Sequence, residues 1–558
     1  MAVLEKFPKA KLGIGPVIEN GFYYDFKLPS PLSPEDLPQL EAAMRSLIAE
    51  KLGFKGEKIT PQKAEKLFKD QPFKLDLVKE FSKDKKQLTV YHTGNFTDLC
   101  RGGHVQDASE INPDGFKLTR IAGAYWRGDE KNPQLTRVYG VAFATKAELE
   151  KYLWRQEEAK KRDHRVLGER LKLFTFAKEV GPGLPLWLPA GAALRDAIET
   201  RAKEVERQWG YQRVITPHIA KEDLYRMSGH IPYYADSMFP PMKLDDGNYY
   251  LKAMNCPHTH MIYKSEPRSH RDLPLRFAEY GTVYRYELSG TLAGLLRTRG
   301  FTQNDAHIYC REDQVEEEFI RVMRLHEYWY KEIFGISDFY MRLSLPAADK
   351  SKYAGIPAGW KKAVALVKSA MQKSGLPFVE AEGEAAFYGP KVDFQIKSVI
   401  GREESASTNQ LDFLAAERFD LKYRDADGKD KPVCVIHRAP LGSHERFIAF
   451  LLEHYAGAFP LWLAPVQVAV LPVGEKFAEY GDRVTAALRE AGIRAEHHAA
   501  NDTLGKRIRN AEQMKIPYIA VVGEREMQSG SVAVRERGKG DTGTIPLDAF
   551  LARLNTQK

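Results

Sequence analysis

The chain has 558 residues, 43% of them hydrophobic and 28% charged, with a formal net charge of +8. That is a globular composition with length for about three to four domains, and its mild basic excess permits nucleic-acid binding without establishing it. No apolar run approaches the ~18 residues of a membrane span, the opening MAVLEKFPKAKLGIGP has no signal-peptide core, and the four scattered cysteines exclude a disulfide framework and fit a reducing cytoplasm.

Residues 1–140 read as a mixed α/β unit. GIGPVIENGFYYDFKL predicts a hairpin that turns at Glu19–Asn20–Gly21. SPEDLPQLEAAMRSLIAEKL predicts a helix with Ser33 as N-cap and Pro34 in its first turn. Cys100 and His104, four apart, suit adjacent helical turns, a loop clamp, or a surface loop with a partly buried thiol. The charge-dense stretch from Thr145 to about Leu173 reads as an exposed linker helix, assigned to 141–162, with a domain boundary near Asp163–His164.

The largest unit spans 163–462. A long amphipathic helix over 190–210 leads into YQRVITPHI, a strand interrupted by Pro217. Then comes Gly281–Cys310, where strand-like runs flank a cationic loop holding Gly290, Gly294, Arg297 and Arg299. On strands, Arg285 and Glu287 would share one face, and so would Gln303, Asp305 and His307. Such a face is either an active-site floor or the solvated side of a hairpin. A helical region over 314–334, strands near 387–394, 408–413 and 433–437, and a helix over 445–454 complete the unit. Residues 463–558 alternate strand and helix and predict a doubly wound, mostly parallel sheet with a basic helix over 503–516.

Two groups of side chains point to chemistry. Cys256, His307 and His437 offer one thiolate and two imidazoles, a set that suits zinc with a position open for substrate, although no tight pair fixes it. Arg285, Arg297 and Arg446 offer the planar, bidentate donors that a triphosphate needs.

At this point several long matches stand in order: MNCPH at 254–258, VYRYE at 283–287, RTRGFTQNDAHIYC at 297–310, FYGPK at 387–391, TNQLDF at 408–413 and VIHRAPLGSHERF at 435–447. On these the chain resembles the bacterial threonyl-tRNA synthetases, which are class II aminoacyl-tRNA synthetases, over nearly its whole length. The resemblance implies an α+β multidomain fold. Its parts would be a partial editing domain, a class II antiparallel sheet with flanking helices, and an α/β anticodon-binding domain. The strand Arg213–Pro217 resembles class II motif 1, which implies a homodimer.

The resemblance also implies roles. Cys256, His307 and His437 would bind zinc. Met254, Gln303, Asp305, Tyr388 and Gln410 would hold threonine, with Asp305 accepting the hydroxyl hydrogen bond. Arg285, Glu287, Arg297, Phe301 and Arg446 would bind ATP with Mg²⁺, and Arg285, Arg446 and Lys391 would be catalytic. The partners implied are L-threonine, ATP and tRNA(Thr). Glu526 and Arg535 would read anticodon bases, with Arg507 and Arg509 on the basic helix; the same helix also reads as an ordinary solvated face.

The chain departs from the family in places. Lys74, Tyr91, Asp98, Cys100 and His104 match part of an editing pocket, but the chain begins downstream of the family's HxxxH pair, so editing of seryl-tRNA is expected to be weak or lost. Thr259 stands where many members have histidine, and His444 takes a position usually apolar or small. The alternative to a ligase is a catalytically silent tRNA-binding paralogue, against which the presence of Arg285 and Arg446 argues.

Overall fold

The computed structural model describes residues 1–346, 357–386, 388–398, 401 and 403–557. The expected strand near 387–394 therefore has its first residue, Phe387, outside the described residues. The chain divides into two compact units, Met1–Glu157 and Glu158–Lys558.

The first unit holds two antiparallel sheets. One pairs Lys11–Leu12, Gly21–Lys27, Gln134–Ala142 and Phe116–Tyr125 in that order; the other pairs Lys55–Ile59, Leu88–Thr93 and Phe96–Leu99. The expected hairpin forms between Val17–Ile18 and Gly21–Lys27, with Asn20 at φ 60°. Ser33 is the N-cap of a 3₁₀ turn, Pro34–Asp36, with its N–H donating to Asp36 Oδ2 over 2.8 Å, and this turn leads into the expected helix, which runs Leu37–Ala49 with Asp36 at its N-cap. The helix expected over 145–173 is two helices, Lys146–Arg162 and His164–Arg170. Asp163 separates them, because its side chain accepts from Arg165 N–H over 2.8 Å and caps the second helix.

The second unit is organised on an eight-stranded sheet. Its order is Gln212–Arg213, Leu275–Tyr284, Gly300–Cys310, Cys434–Ala439, Glu403–Asp412, Lys391–Lys397, Phe339–Leu345 and Phe378–Glu382. The six central strands pair antiparallel, and the two edge strands pair parallel. The expected strand over 213–217 is thus only Gln212–Arg213; Val214 N–H donates to Ala278 O over 2.9 Å, and pairing ends before Pro217.

Alternation along these strands separates two faces. Ala306, Ile308 and Ile436 pack with Leu194 and Ile198 of helix Pro189–Gln208, Phe319 and Val322 of helix Val315–Tyr328, and Phe447 and Leu451 of helix His444–Tyr455. The residues between them, Asp305, His307 and His437, point the other way. The core therefore holds the site floor rigid from beneath.

The C-terminal sheet is mixed rather than mostly parallel. Ala495–His497, Val468–Pro472 and Tyr518–Val522 pair parallel, but Ser531–Glu536 and Gly540–Pro546 add antiparallel strands. The last two form a hairpin too short for a crossover helix, which fixes their direction, and Gly538 and Gly540 take the positive φ of the turn.

Candidate active site

Strand Gly300–Cys310 lies between its two neighbours in a register that assembles the site. His307 stands opposite His437, and Gln410 stands opposite His437 from the other side. The His307 and His437 rings meet edge to face at 4.7 Å. Cys256 reaches them from the first turn of helix Cys256–Lys264, rather than from a strand or turn. The donor atoms of Cys256, His307 and His437 lie within 4.8 Å of one another, and all three residues are buried.

The surroundings fit a metal ion. His307 Nε2 is buried without a hydrogen-bond partner, a costly arrangement that a metal bond would relieve. Burial pushes the Cys256 thiol well up and the His307 imidazole well down. One sulfur and two nitrogens are the donors that zinc prefers.

The expected threonine-binding side chains surround this cluster. Asn255 Nδ2 donates to Asp305 Oδ2 over 3.1 Å, and burial pushes the Asp305 carboxyl up to about 6. Tyr388 packs its ring 5.2 Å from that of His437, and its hydroxyl donates to Gln410 Oε1. Met254 is half-buried two residues before Cys256. Burial pushes the Asp412 carboxyl up, but the His437 contact outweighs it and leaves Asp412 below the usual carboxylate range.

Beside the cluster lies a cleft of about 540 Å³. Arg285, Glu287, Arg297, Phe301, Gln303, Lys391, Gln410 and Arg446 all line it. Arg285 and Glu287 do not share a strand face, because the strand ends at Tyr284. Arg285 instead follows the strand, with its N–H bonded to Arg299 O over 2.8 Å, its guanidinium 5.0 Å from the Phe301 ring and its Nε directed at Ala253 O over 3.3 Å. Arg297 pairs with Glu287 at 2.8 Å. Arg446 projects from the first turn of helix His444–Tyr455, where Ser443 Oγ accepts its N–H over 3.2 Å. Lys391 Nζ lies 3.0 Å from Asp393 Oδ2.

Sequence reasoning gave Asn255, Asp393 and Asp412 no role, although Asn255 and Asp412 lie inside the motifs MNCPH and TNQLDF. His444 is buried, stacked on Tyr280 at 5.5 Å with its Nε2 3.3 Å from Glu199 Oε1. Thr259 is buried and donates to Asn255 O over 3.3 Å.

In the first unit, the five expected editing residues fall in three contacts and one shared register. Lys74 Nζ lies 2.6 Å from Asp98 Oδ1, Tyr91 stands opposite Asp98, and His104 Nε2 lies 3.2 Å from Cys100 Sγ in a loop, with the Tyr91 ring 4.3 Å from that of His104. In the C-terminal sheet, Arg507 is buried and donates to the carbonyls of Asp502, His498 and Val473, so it is neither solvated nor free for a nucleic acid; Arg509 is exposed. Glu526 accepts from Gly523 N–H over 3.0 Å, and Arg535 lies 3.9 Å from both Glu512 and Asp541.

An antiparallel sheet with this long cationic loop, a cleft lined by arginines and a final strand–turn–helix defines a class II aminoacyl-tRNA synthetase core. Residues 241–455 match the family described as the tRNA synthetase class II core domain (G, H, P, S and T), residues 467–557 the anticodon binding domain, and residues 88–139 the threonyl and alanyl tRNA synthetase second additional domain. The chain belongs to the threonine–tRNA ligases: it is 48% identical over 563 residues to that of Gloeobacter violaceus, covering 99% of this chain and 90% of that one. It is 49% identical to that of a Thermus thermophilus strain, covering 97% and 83%. Solved structures agree. The RNA binding domain of threonyl-tRNA synthetase from Cryptosporidium parvum Iowa II has a TM-score of 0.68 at 36% identity, covering 71% of this chain and 98% of that one. A threonyl-tRNA synthetase from Aeropyrum pernix has a TM-score of 0.62 at 29% identity, covering 71% and 96%.

Proposed function

We propose that the chain activates L-threonine with ATP and transfers it to the 3′ end of tRNA(Thr), reading threonine through zinc held by Cys256, His307 and His437. The observation that carries this reading is the buried, unpartnered Nε2 of His307 within a Cys/His/His cluster beside the arginine-lined cleft. Zinc bound there supplies a Lewis-acidic centre for the amino and hydroxyl groups of threonine, and so a basis for rejecting valine, which a hydrophobic pocket barely separates from threonine.

The chain's own residues do the rest. Asp305, oriented by Asn255, accepts the hydrogen bond of the threonine hydroxyl. Gln303, Tyr388, Gln410 and Met254 enclose the amino acid. Arg285 brings the threonine carboxylate and the α-phosphate of ATP together, and Phe301 offers a face to the base. Arg446 and the N-terminus of its helix add positive potential for the phosphates that leave as pyrophosphate. Lys391 sits near the carboxylate and ATP, and Arg297 reaches ATP once it releases Glu287. The carboxylate attacks the α-phosphorus to give threonyl-adenylate; the terminal adenosine of tRNA then attacks its carbonyl carbon and AMP departs. Both steps rest on positioning and charge, with Mg²⁺ accompanying ATP and no covalent enzyme intermediate.

The domains we assign are 1–140 for a partial editing domain, 141–162 for a linker, 163–462 for catalysis and 463–558 for anticodon binding through Glu526 and Arg535. The enzyme works in the cytoplasm as a homodimer. Lys74, Tyr91, Asp98, Cys100 and His104 form the editing pocket in this reading; deacylation of seryl-tRNA by the purified chain, compared with a Cys100→Ala variant, tests it.

Metal analysis tests the zinc set. About one zinc per chain is expected in the purified protein and little in Cys256→Ala. Undiminished zinc in the variant contradicts the assignment.

A further inference from the structure

The zinc cluster has a second ring of buried groups behind it. Asp412 ends the strand Glu403–Asp412 and is 6% exposed. Its two oxygens have separate tasks. Oδ1 accepts the backbone N–H groups of Leu414 and Ala415, each over 2.8 Å. Oδ2 lies 3.2 Å from His437 Nε2. His260 closes the group: one donor atom from each of His260, Asp412 and His437 lies within 4.8 Å of the others, and His260 Nδ1 is engaged by the Tyr309 hydroxyl at 2.9 Å.

A neutral imidazole carries one N–H and one lone pair. A carboxylate only accepts, so the proton of His437 sits on Nε2, facing Asp412. The lone pair is then on Nδ1. Two backbone amides pin the other oxygen, so the carboxylate cannot turn away and the ring cannot easily invert its tautomer.

We propose that Asp412 is a positioning residue that fixes the tautomer of His437 and thereby presents its Nδ1 lone pair to the metal. This rests on the zinc reading above and adds to it the residue that makes one ligand competent. A carboxylate behind a metal-bound histidine sets both ring orientation and basicity. Asp412 does so from the end of its strand, with one oxygen pinned by the backbone that follows it and His260 as the third wall. His260 is read as that wall rather than as a ligand of a second ion, because an ion there would compete with Asp412 for His437 Nε2.

Asp412→Asn separates positioning from packing. Its amide can keep an oxygen on the Leu414 and Ala415 N–H groups only by turning its NH₂ to His437. That forces the imidazole proton onto Nδ1 and blocks the lone pair. Zinc affinity, measured by competition with a chelator, should fall about 10–100-fold in Asp412→Asn, while the melting midpoint of the metal-free protein stays near that of the wild type. Asp412→Ala should lose the loop contacts as well and melt lower. Wild-type zinc affinity in Asp412→Asn overturns the proposal, and so do two zinc ions per chain with the second lost in His260→Ala. The Cys256→Ala control keeps the two claims apart. If it retains zinc, the zinc reading itself fails; if it loses zinc while Asp412→Asn does not, only the role of Asp412 fails. Should Asp412→Asn not fold, the ¹⁵N shifts of His437 in the wild type decide: a proton on Nε2 supports the proposal and a proton on Nδ1 overturns it.

Discussion

A Cβ placed on Gly281 would lie 2.1 Å from Asn255 Oδ1. Gly281 stands opposite Gln303 in the strand pair, and Asn255 is fully buried beneath it while holding Asp305. The glycine therefore leaves room for the side chain that orients Asp305, the proposed hydroxyl acceptor. In Gly281→Ala, Asn255 must move, and threonine activation should fall about 100-fold, the usual cost of a displacement near 1 Å. The loss should appear with threonine as the varied substrate and spare the KM for ATP; an equal loss for both substrates would point to misfolding instead. Single residues are unevenly legible from sequence. Cys256, His307 and His437 lie far apart in the chain, and only their motifs unite them. Asp412 escapes a sequence reading because an acid at a strand end carries no periodic signal. Arg507 looks like one more charge on a basic helix, whereas its guanidinium is consumed by three carbonyls, and no local pattern encodes that.

Two helices clamp the underside of the catalytic sheet through Glu199 and His444. Burial pushes the Glu199 carboxyl up, but His444 and Lys203 outweigh it and hold Glu199 at about 2, below the ordinary 4.5. A carboxyl depressed in the fold stabilises it above the unfolded pKa and loses that contribution as pH falls from about 4.5 toward about 2. Glu199→Gln should thus melt lower than the wild type near neutral pH, with the gap narrowing through that acid window. A gap that stays constant with pH would assign the effect to packing. At this scale the sequence is more readable. The hairpin at Asn20, the cap at Ser33 and the loop-flanking strands up to Cys310 carry strong turn, cap or period-two signals. The charges of the linker continue across Asp163 and read as one helical run; the shift in composition marks a boundary there, and the capping bond shows the break between two helices. The C-terminal hairpin goes unseen because GDTGTIP has too few apolar residues to mark a strand; pairing with its neighbour creates it.

Across the second unit, two arginines fasten the C-terminal sheet to the segment that leads into it. Arg494 donates to Ala464 O over 2.9 Å and Trp462 O over 2.6 Å, and Arg537 donates to Ala458 O over 3.1 Å and to Phe459 O. Hydrogen bonds from a charged donor are each worth about 1.5–3 kcal/mol. Loss of both, in Arg494→Ala/Arg537→Ala, should loosen the C-terminal sheet, expose the segment around 458–464 to proteolysis and slow threonine transfer to tRNA. Adenylate formation should hold, since neither residue touches the cleft; an equal fall in both steps would contradict that division of labour. The molecule as a whole places a cationic cleft beside a Cys/His/His cluster, and the proposed function gives the first to ATP and the second to a substrate with a hydroxyl. The most direct test of that pairing is ATP–pyrophosphate exchange by the zinc-loaded chain with threonine, serine, valine and proline compared. Exchange should be strong with threonine, measurable with serine, and absent with valine and proline. No threonine-dependent exchange with zinc bound, or exchange with valine matching threonine, would contradict it.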